Sequence, residues 1–115
     1  MVGLPNLFLT VEAMQVGMEY GMDLHRLASI METGSGRNIT TKDWEQGKAT
    51  FAHFAKSPEL IKLAVDLSRK DLKHVQDLAR QASVSCPLLN RILDAFNLFE
   101  YEEIEKSWNA VTKAK

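Results

Sequence analysis

Lys70, Asp71 and His74 lie within about one helical turn in the run Ser68-Arg69-Lys70-Asp71-Leu72-Lys73-His74. A lysine in this position can meet a ligand, and the aspartate can bridge or cap another helix. The run belongs to a stretch without Gly or Pro that opens Ser57-Pro58-Glu59 and continues to Ala82. Ser57 suits the N-cap, Pro58 the first helical position, and Glu59 the positive end of the helix dipole. At about 100° per residue, the apolar side chains of this long helix fill an arc of roughly 200°. Asp71 points near the middle of that arc, and Lys70 and His74 lie on its edge. A carboxylate on the apolar side of a core helix needs a partner, because burying it unpaired is costly. Asp71 is therefore expected to face inward in a structural role, and Lys70, on the edge, is left open as a candidate for a ligand contact. The competing reading is a solvated, charge-laced face. Lys62, Asp66, Lys70 and His74, and likewise Lys73 and Asp77, alternate at four-residue spacing, a pattern worth a few tenths of a kcal/mol per pair.

Few other residues offer chemistry. His25, His53 and His74 form no metal-ligand pair at helical spacing, and Asp71 with His74 would hold a metal only with further ligands. No metal site and no catalytic residue is expected. Cys86 precedes a proline at a helix start, where a thiol pKa can fall, but a lone cysteine there reads as a small apolar residue. Glu32-Thr33-Gly34-Ser35-Gly36-Arg37-Asn38 is a turn. It follows a helix and lacks the glycine spacing and Lys-Ser/Thr end of a phosphate loop.

The elements around these residues read as helices throughout. Pro5 to Tyr20 is apolar nearly all round, with only a narrow strip of Glu12, Gln15 and Glu19. Such a helix belongs in a larger assembly. Asp23 caps Leu24 to Glu32, whose inner side is Leu24, Leu27, Ala28 and Met31, with His25 on the solvated side. Thr40 or Thr41 is the expected cap of a third helix reaching about Phe54, with Trp44, Phe51 and Ala55 on one side and His53 at the core edge. Gly47 weakens that helix by about 1 kcal/mol relative to Ala. Pro87 opens a helix that turns Leu88, Leu89, Ile92, Leu93 and Phe96 inward. Glu100 to Val111 presents Tyr101, Ile104, Trp108 and Val111 on one side, and Lys113 and Lys115 suit its negative end. With no convincing strand and all three prolines at helix starts, the fold class is all-α.

The totals bound the rest. A chain of 115 residues with net charge −1 fits one domain and gives no general nucleic-acid or anionic-membrane surface. No apolar run approaches the roughly 20 residues of a membrane span. No secretory signal is visible, and a single cysteine rules out an internal disulfide and a cysteine zinc site. A reducing, cytoplasmic setting is expected.

In order and spacing, several segments resemble the C-terminal helical domain of the β-hydroxyacid dehydrogenases, a family that includes 3-hydroxyisobutyrate dehydrogenase, tartronate semialdehyde reductase and glyoxylate reductases. Val11-Glu12-Ala13-Met14 with Gly21-Met22-Asp23 is similar to the family's Glu-Ala segment and its following turn. Glu32 to Arg37 resembles its Gly-Ser-Gly turn, Lys70-Asp71-Leu72 its Lys-Asp-Leu motif, and Val84 to Leu88 its apolar-Pro-Leu segment. The resemblance implies a single bundle of five to six helices, like the C-terminal domain of 6-phosphogluconate dehydrogenase. It implies residues 1–115 as that domain, without the N-terminal Rossmann domain that binds NAD or NADP. It also implies that Lys70 reaches the nicotinamide end of the cofactor, that Asn6 matches a substrate-side asparagine, and that the enzyme is a homodimer or higher homo-oligomer.

The chain departs from the family in three ways. It has no Gly-x-Gly-x-x-Gly, its first lysine is Lys42 so the catalytic lysine is missing, and Leu63 stands where an aromatic residue is common. The chain alone is therefore expected to bind no cofactor and to be inactive. The alternative is a stand-alone helical oligomerisation or interaction module.

Overall fold

The computed structural model describes residues 2–113; Lys115, expected near the end of the last helix, lies outside them. The described residues form six helices and no strand: α1 (Gly3–Glu19), α2 (Leu24–Glu32), α3 (Trp44–Phe54), α4 (Pro58–Gln81), α5 (Pro87–Leu98) and α6 (Tyr101–Thr112). The all-α reading of the sequence holds.

Local chemistry explains most of the boundaries. The Asp23 carboxylate accepts from Arg26 N–H at the start of α2, and the Ser57 hydroxyl accepts from Leu60 N–H at the start of α4. Gly21, at φ 75°, supplies the left-handed residue that ends α1. The third helix starts differently from expectation. Its N-cap is Asp43, whose carboxylate accepts from Glu45 and Gln46 N–H. Thr40 and Thr41 are buried in the preceding turn, where their hydroxyls bond to Asn38 and Glu32. Those local partners outcompete capping.

The core is aromatic and centres on Trp108 of α6. Its ring lies 5.1 Å from Phe8 of α1, 5.0 Å from Phe51 and 6.2 Å from Phe54 of α3. Phe8 in turn packs on Phe96 and Phe99 at 4.8 and 5.6 Å, which brings in α5 and its exit. Ile61, Ala64, Val65, Ser68 and Leu72 form the buried stripe of α4. Their spacings of 3, 1, 3 and 4 keep all five on one helical face.

Three expectations are corrected by this packing. Asp71 is exposed and makes no hydrogen bond or ion pair among the described residues. The apolar arc on which it was placed is two stripes, and only the one through Ile61 and Leu72 is covered. Leu88 is 78% exposed, because the inner side of α5 is Leu89, Leu93 and Phe96. His53, expected at the core edge, lies outside it: it is exposed and touches Phe54 edge-on.

Gly47 has a packing role that helix propensity hides. A Cβ there would sit 2.4 Å from the Thr40 carbonyl oxygen, a backbone atom that cannot swing aside. Gly47→Ala should therefore destabilise the domain by about 1–3 kcal/mol in urea denaturation, against the gain of about 1 kcal/mol that propensity alone gives. An unchanged or raised midpoint would show that the Thr40 turn yields freely.

Candidate functional site

Arg69, immediately before Lys70, determines how α4 sits. Its Nε donates to the Phe96 carbonyl at 2.7 Å, Nη2 to the Phe99 carbonyl at 2.9 Å and Nη1 to the Tyr101 hydroxyl at 3.2 Å. The guanidinium thus holds carbonyls at the end of α5, which the helix leaves without partners. It also lies 3.5 Å from Asp66, and the Tyr101 hydroxyl donates to Asp66 Oδ1 at 2.5 Å. Asp66 therefore turns towards α6 instead of pairing with Lys62 or Lys70, while Lys62 lies 6.0 Å from the Tyr101 ring. Of the charge-laced pattern, Lys73–Asp77 forms a bridge at 3.2 Å.

With Arg69 anchored inward, Lys70 is carried outward. It is exposed and has no hydrogen bond or ion pair among the described residues. At 100° per residue, Lys70, Asp71 and His74 share a sector of roughly 100° with Leu63, Leu67 and Leu78. All three leucines are exposed. The result is an uncovered apolar strip bearing one lysine, one aspartate and one histidine.

Asn6 sits elsewhere. It lines a cavity of about 320 Å³ bounded by α1, Met31 and the Ser35-Gly36-Arg37-Asn38 turn. It also lines a smaller, mostly apolar cleft with Leu72, Leu88 and Ile92. Leu72 faces this side of α4, whereas Lys70, two residues earlier, points about 160° away. The structure therefore does not bring Asn6 and Lys70 together.

The turn beside Asn6 is rigidly built. Asn38 Nδ2 donates to Thr10 Oγ1 at 2.9 Å and to the Gly36 carbonyl at 3.2 Å. Asn38 Oδ1 accepts from Thr40 N–H at 2.9 Å and from its hydroxyl at 2.6 Å. Thr10, buried in α1, donates to the Asn6 carbonyl at 2.7 Å. The Asn-x-Thr-Thr order was the available sequence signal for this knot, but those threonines also suit a helix cap. Arg69 had a weaker signal: it flanks the buried stripe, next to Ser68.

The remaining polar residues offer less. His25 Nε2 meets Glu45 Oε1 at 2.8 Å on the surface between α2 and α3. Cys86 is part-buried at the start of α5. Among the described residues, no three His, Cys, Asp or Glu side chains gather as metal ligands, and no helix is long and apolar enough to cross a membrane.

The Tyr101 hydroxyl is raised above its ordinary value of 10.0, first by its hydrogen bond to Asp66, then by partial burial and the carboxylate's charge. The fold thus favours the neutral phenol. That stabilisation is fully present below about pH 10 and is lost as pH rises through the raised value. Alkaline denaturation should therefore steepen above pH 10 in the native chain and less so in Tyr101→Phe; identical pH profiles would refute the coupling. Arg69→Met should cost about 2–3 kcal/mol in urea denaturation, since it strips charged hydrogen bonds from two carbonyls. A loss below about 0.5 kcal/mol would mean that water replaces the guanidinium.

The family model described as NAD-binding of NADP-dependent 3-hydroxyisobutyrate dehydrogenase covers residues 1–110. No curated protein and no solved structure matches the chain.

Proposed function

We propose a role for this chain from the family to which it belongs, that of the NAD-binding domain of NADP-dependent 3-hydroxyisobutyrate dehydrogenase. In this reading residues 1–115 are the C-terminal helical domain of an NAD(P)-dependent oxidoreductase acting on a small hydroxyacid. The domain closes the cleft over a cofactor held by an N-terminal Rossmann domain. Lys70 reaches that cofactor, and the chain alone does not transfer hydride.

The observation that carries the reading is Lys70 itself. It is exposed, has no partner among the described residues, and stands among the uncovered leucines Leu63, Leu67 and Leu78. A lysine on such a strip can supply a positive charge to a phosphate or ribose edge while the leucines are covered by the opposing domain. Asn6, which the resemblance gives to the substrate, lies on another side of α4, so the cofactor reading rests on Lys70 alone. Asp71 is the exposed neighbour of Lys70 on the same strip and is not a buried bridge.

Two features support an assembly larger than this domain. The radius of gyration is 14.8 Å, against about 13 Å for a compact chain of this length. Helix α1 starts without a side-chain cap, Val2 being already helical, and leaves Leu9, Val16 and Tyr20 exposed on its outer side. These are the surfaces that an interdomain helix and a homodimer or higher homo-oligomer would cover. The α1 strip is also what favours the second reading, an oligomerisation module without catalysis.

The two readings separate in a joined enzyme. The chain fused behind the nucleotide-binding half of a dehydrogenase of this family, that half carrying the family's catalytic lysine at its end, should oxidise a small 3-hydroxyacid with NADP. Lys70→Ala should raise the cofactor KM about tenfold or more, equivalent to about 1.4 kcal/mol, with thermal stability unchanged. A Lys70→Ala enzyme with native cofactor KM would reject the cofactor role and leave the oligomerisation module standing.

A further inference from the structure

α4 is held from two directions, and neither is the direction of Lys70. The buried stripe Ile61, Ala64, Val65, Ser68 and Leu72 packs on the core. At 100° per residue, the centre of that stripe lies roughly 175° round the helix from Lys70. Apolar contact is non-directional, so the stripe resists withdrawal of the helix more than a small rotation about its own axis. Arg69 supplies the direction. It stands on the flank, roughly 85° from the stripe centre and 100° from Lys70, and its side chain is 24% exposed. The guanidinium donates to the Phe96 and Phe99 carbonyls and to the Tyr101 hydroxyl, and a planar fork of this kind is strict about angle. The Tyr101 ring centre lies 5.5 Å from the guanidinium carbon, and its hydroxyl donates to Asp66, one turn before Arg69. Two residues on one flank of α4 are thereby tied to the end of α5 and the start of α6. Rotating α4 would strain all of these bonds at once.

Lys70 has no hydrogen bond or ion pair of its own among the described residues, so the direction in which it leaves the helix is set by the helix alone. A helix with its side chains is about 10–12 Å across, and a rotation of about 20° sweeps a side-chain end by about 2 Å. A recognition site has to hold its groups to within roughly 0.5 Å and 10–20°. The rotation that the clamp prevents is therefore large enough to misplace the charge. We propose that Arg69, supported by Tyr101 and Asp66, is a positioning residue for Lys70: the clamp sets the rotation of α4 and through it the affinity for the cofactor, without touching the cofactor. The proposal rests on the cofactor reading of Lys70 and adds the residues on which that contact depends.

The test uses the fused enzyme. Arg69→Met should raise the cofactor KM about threefold or more and leave kcat within about twofold, the signature of lost binding without lost chemistry. Arg69→Lys keeps the charge and loses the fork. It should raise the cofactor KM as well, which separates positioning from a distant charge, and it carries the test if Arg69→Met does not fold. Added to Lys70→Ala, either Arg69 change should raise the KM no further, because residues acting through one contact are not additive. Leu24→Ala, in the buried side of α2, which packs on α1 and α3, should lower the melting temperature and leave the cofactor KM native. A further rise on top of Lys70→Ala, or an equal rise in Leu24→Ala, would overturn the proposal. So would a native KM in the Arg69 variants while Lys70→Ala raises it, and the cofactor reading would then stand. A native KM in Lys70→Ala removes the cofactor reading and the proposal together.

Discussion

The packing of Trp108 constrains everything else in this domain. One indole touches α1 through Phe8 and α3 through Phe51 and Phe54. Phe8 then passes the contact to Phe96 and Phe99 at the end of α5. Large rings of this kind dominate core energetics, and their tilted and edge-on contacts fix the angles between the helices that carry them. Each helix can offer only one side to such a centre. α1 spends its inner side on Phe8, Val11 and Met14, and α4 spends Ile61, Val65 and Leu72. The second apolar strips on both helices are therefore left outside.

Arg69 turns that constraint into orientation. Its fork binds the Phe96 and Phe99 carbonyls, next to the two rings that Phe8 contacts, and through Tyr101 it reaches the start of α6. α4 is thereby held in rotation as well as in position. Since neighbouring residues are about 100° apart around a helix, fixing Arg69 inward fixes the direction of Lys70. An exposed lysine on an otherwise mobile helix would be an indifferent surface charge. One held by a clamp anchored in the aromatic core presents its charge at a set place, which is what recognition of a cofactor edge requires.

The helices were legible in the sequence because their punctuation and periodicity agree. Asp23 and Ser57 cap where expected, Pro58 and Pro87 open helices, and Gly21 closes one. The inward residues of α3 and α6 were also readable. What could not be read was which part of a wide apolar arc is covered. Periodicity gives the direction of Leu63 and Leu67 on α4 but says nothing of whether another helix lies there, and Asp71 was assigned inward on that basis. Similarly, Gly47 looks like a propensity defect until the Thr40 carbonyl is seen beside it. Asn38 looks like one more loop residue until its four side-chain bonds are traced. These are tertiary facts, and local preference carries no trace of them.

The two candidate sites differ in the way each is incomplete. The α4 strip is open: Lys70 and the leucines beside it have no opposing wall, so the strip needs another domain before it can enclose anything. The cavity on α1 is already walled on several sides by one chain, and its turn is cross-linked to Thr10 instead of being left to fold around a ligand. Preorganisation of that kind reduces the ordering cost of binding. A change in the turn would leave α4 undisturbed. A change in Arg69 would release α4 and leave the turn intact, because the Asn38 knot shares no hydrogen bond with the Arg69 clamp.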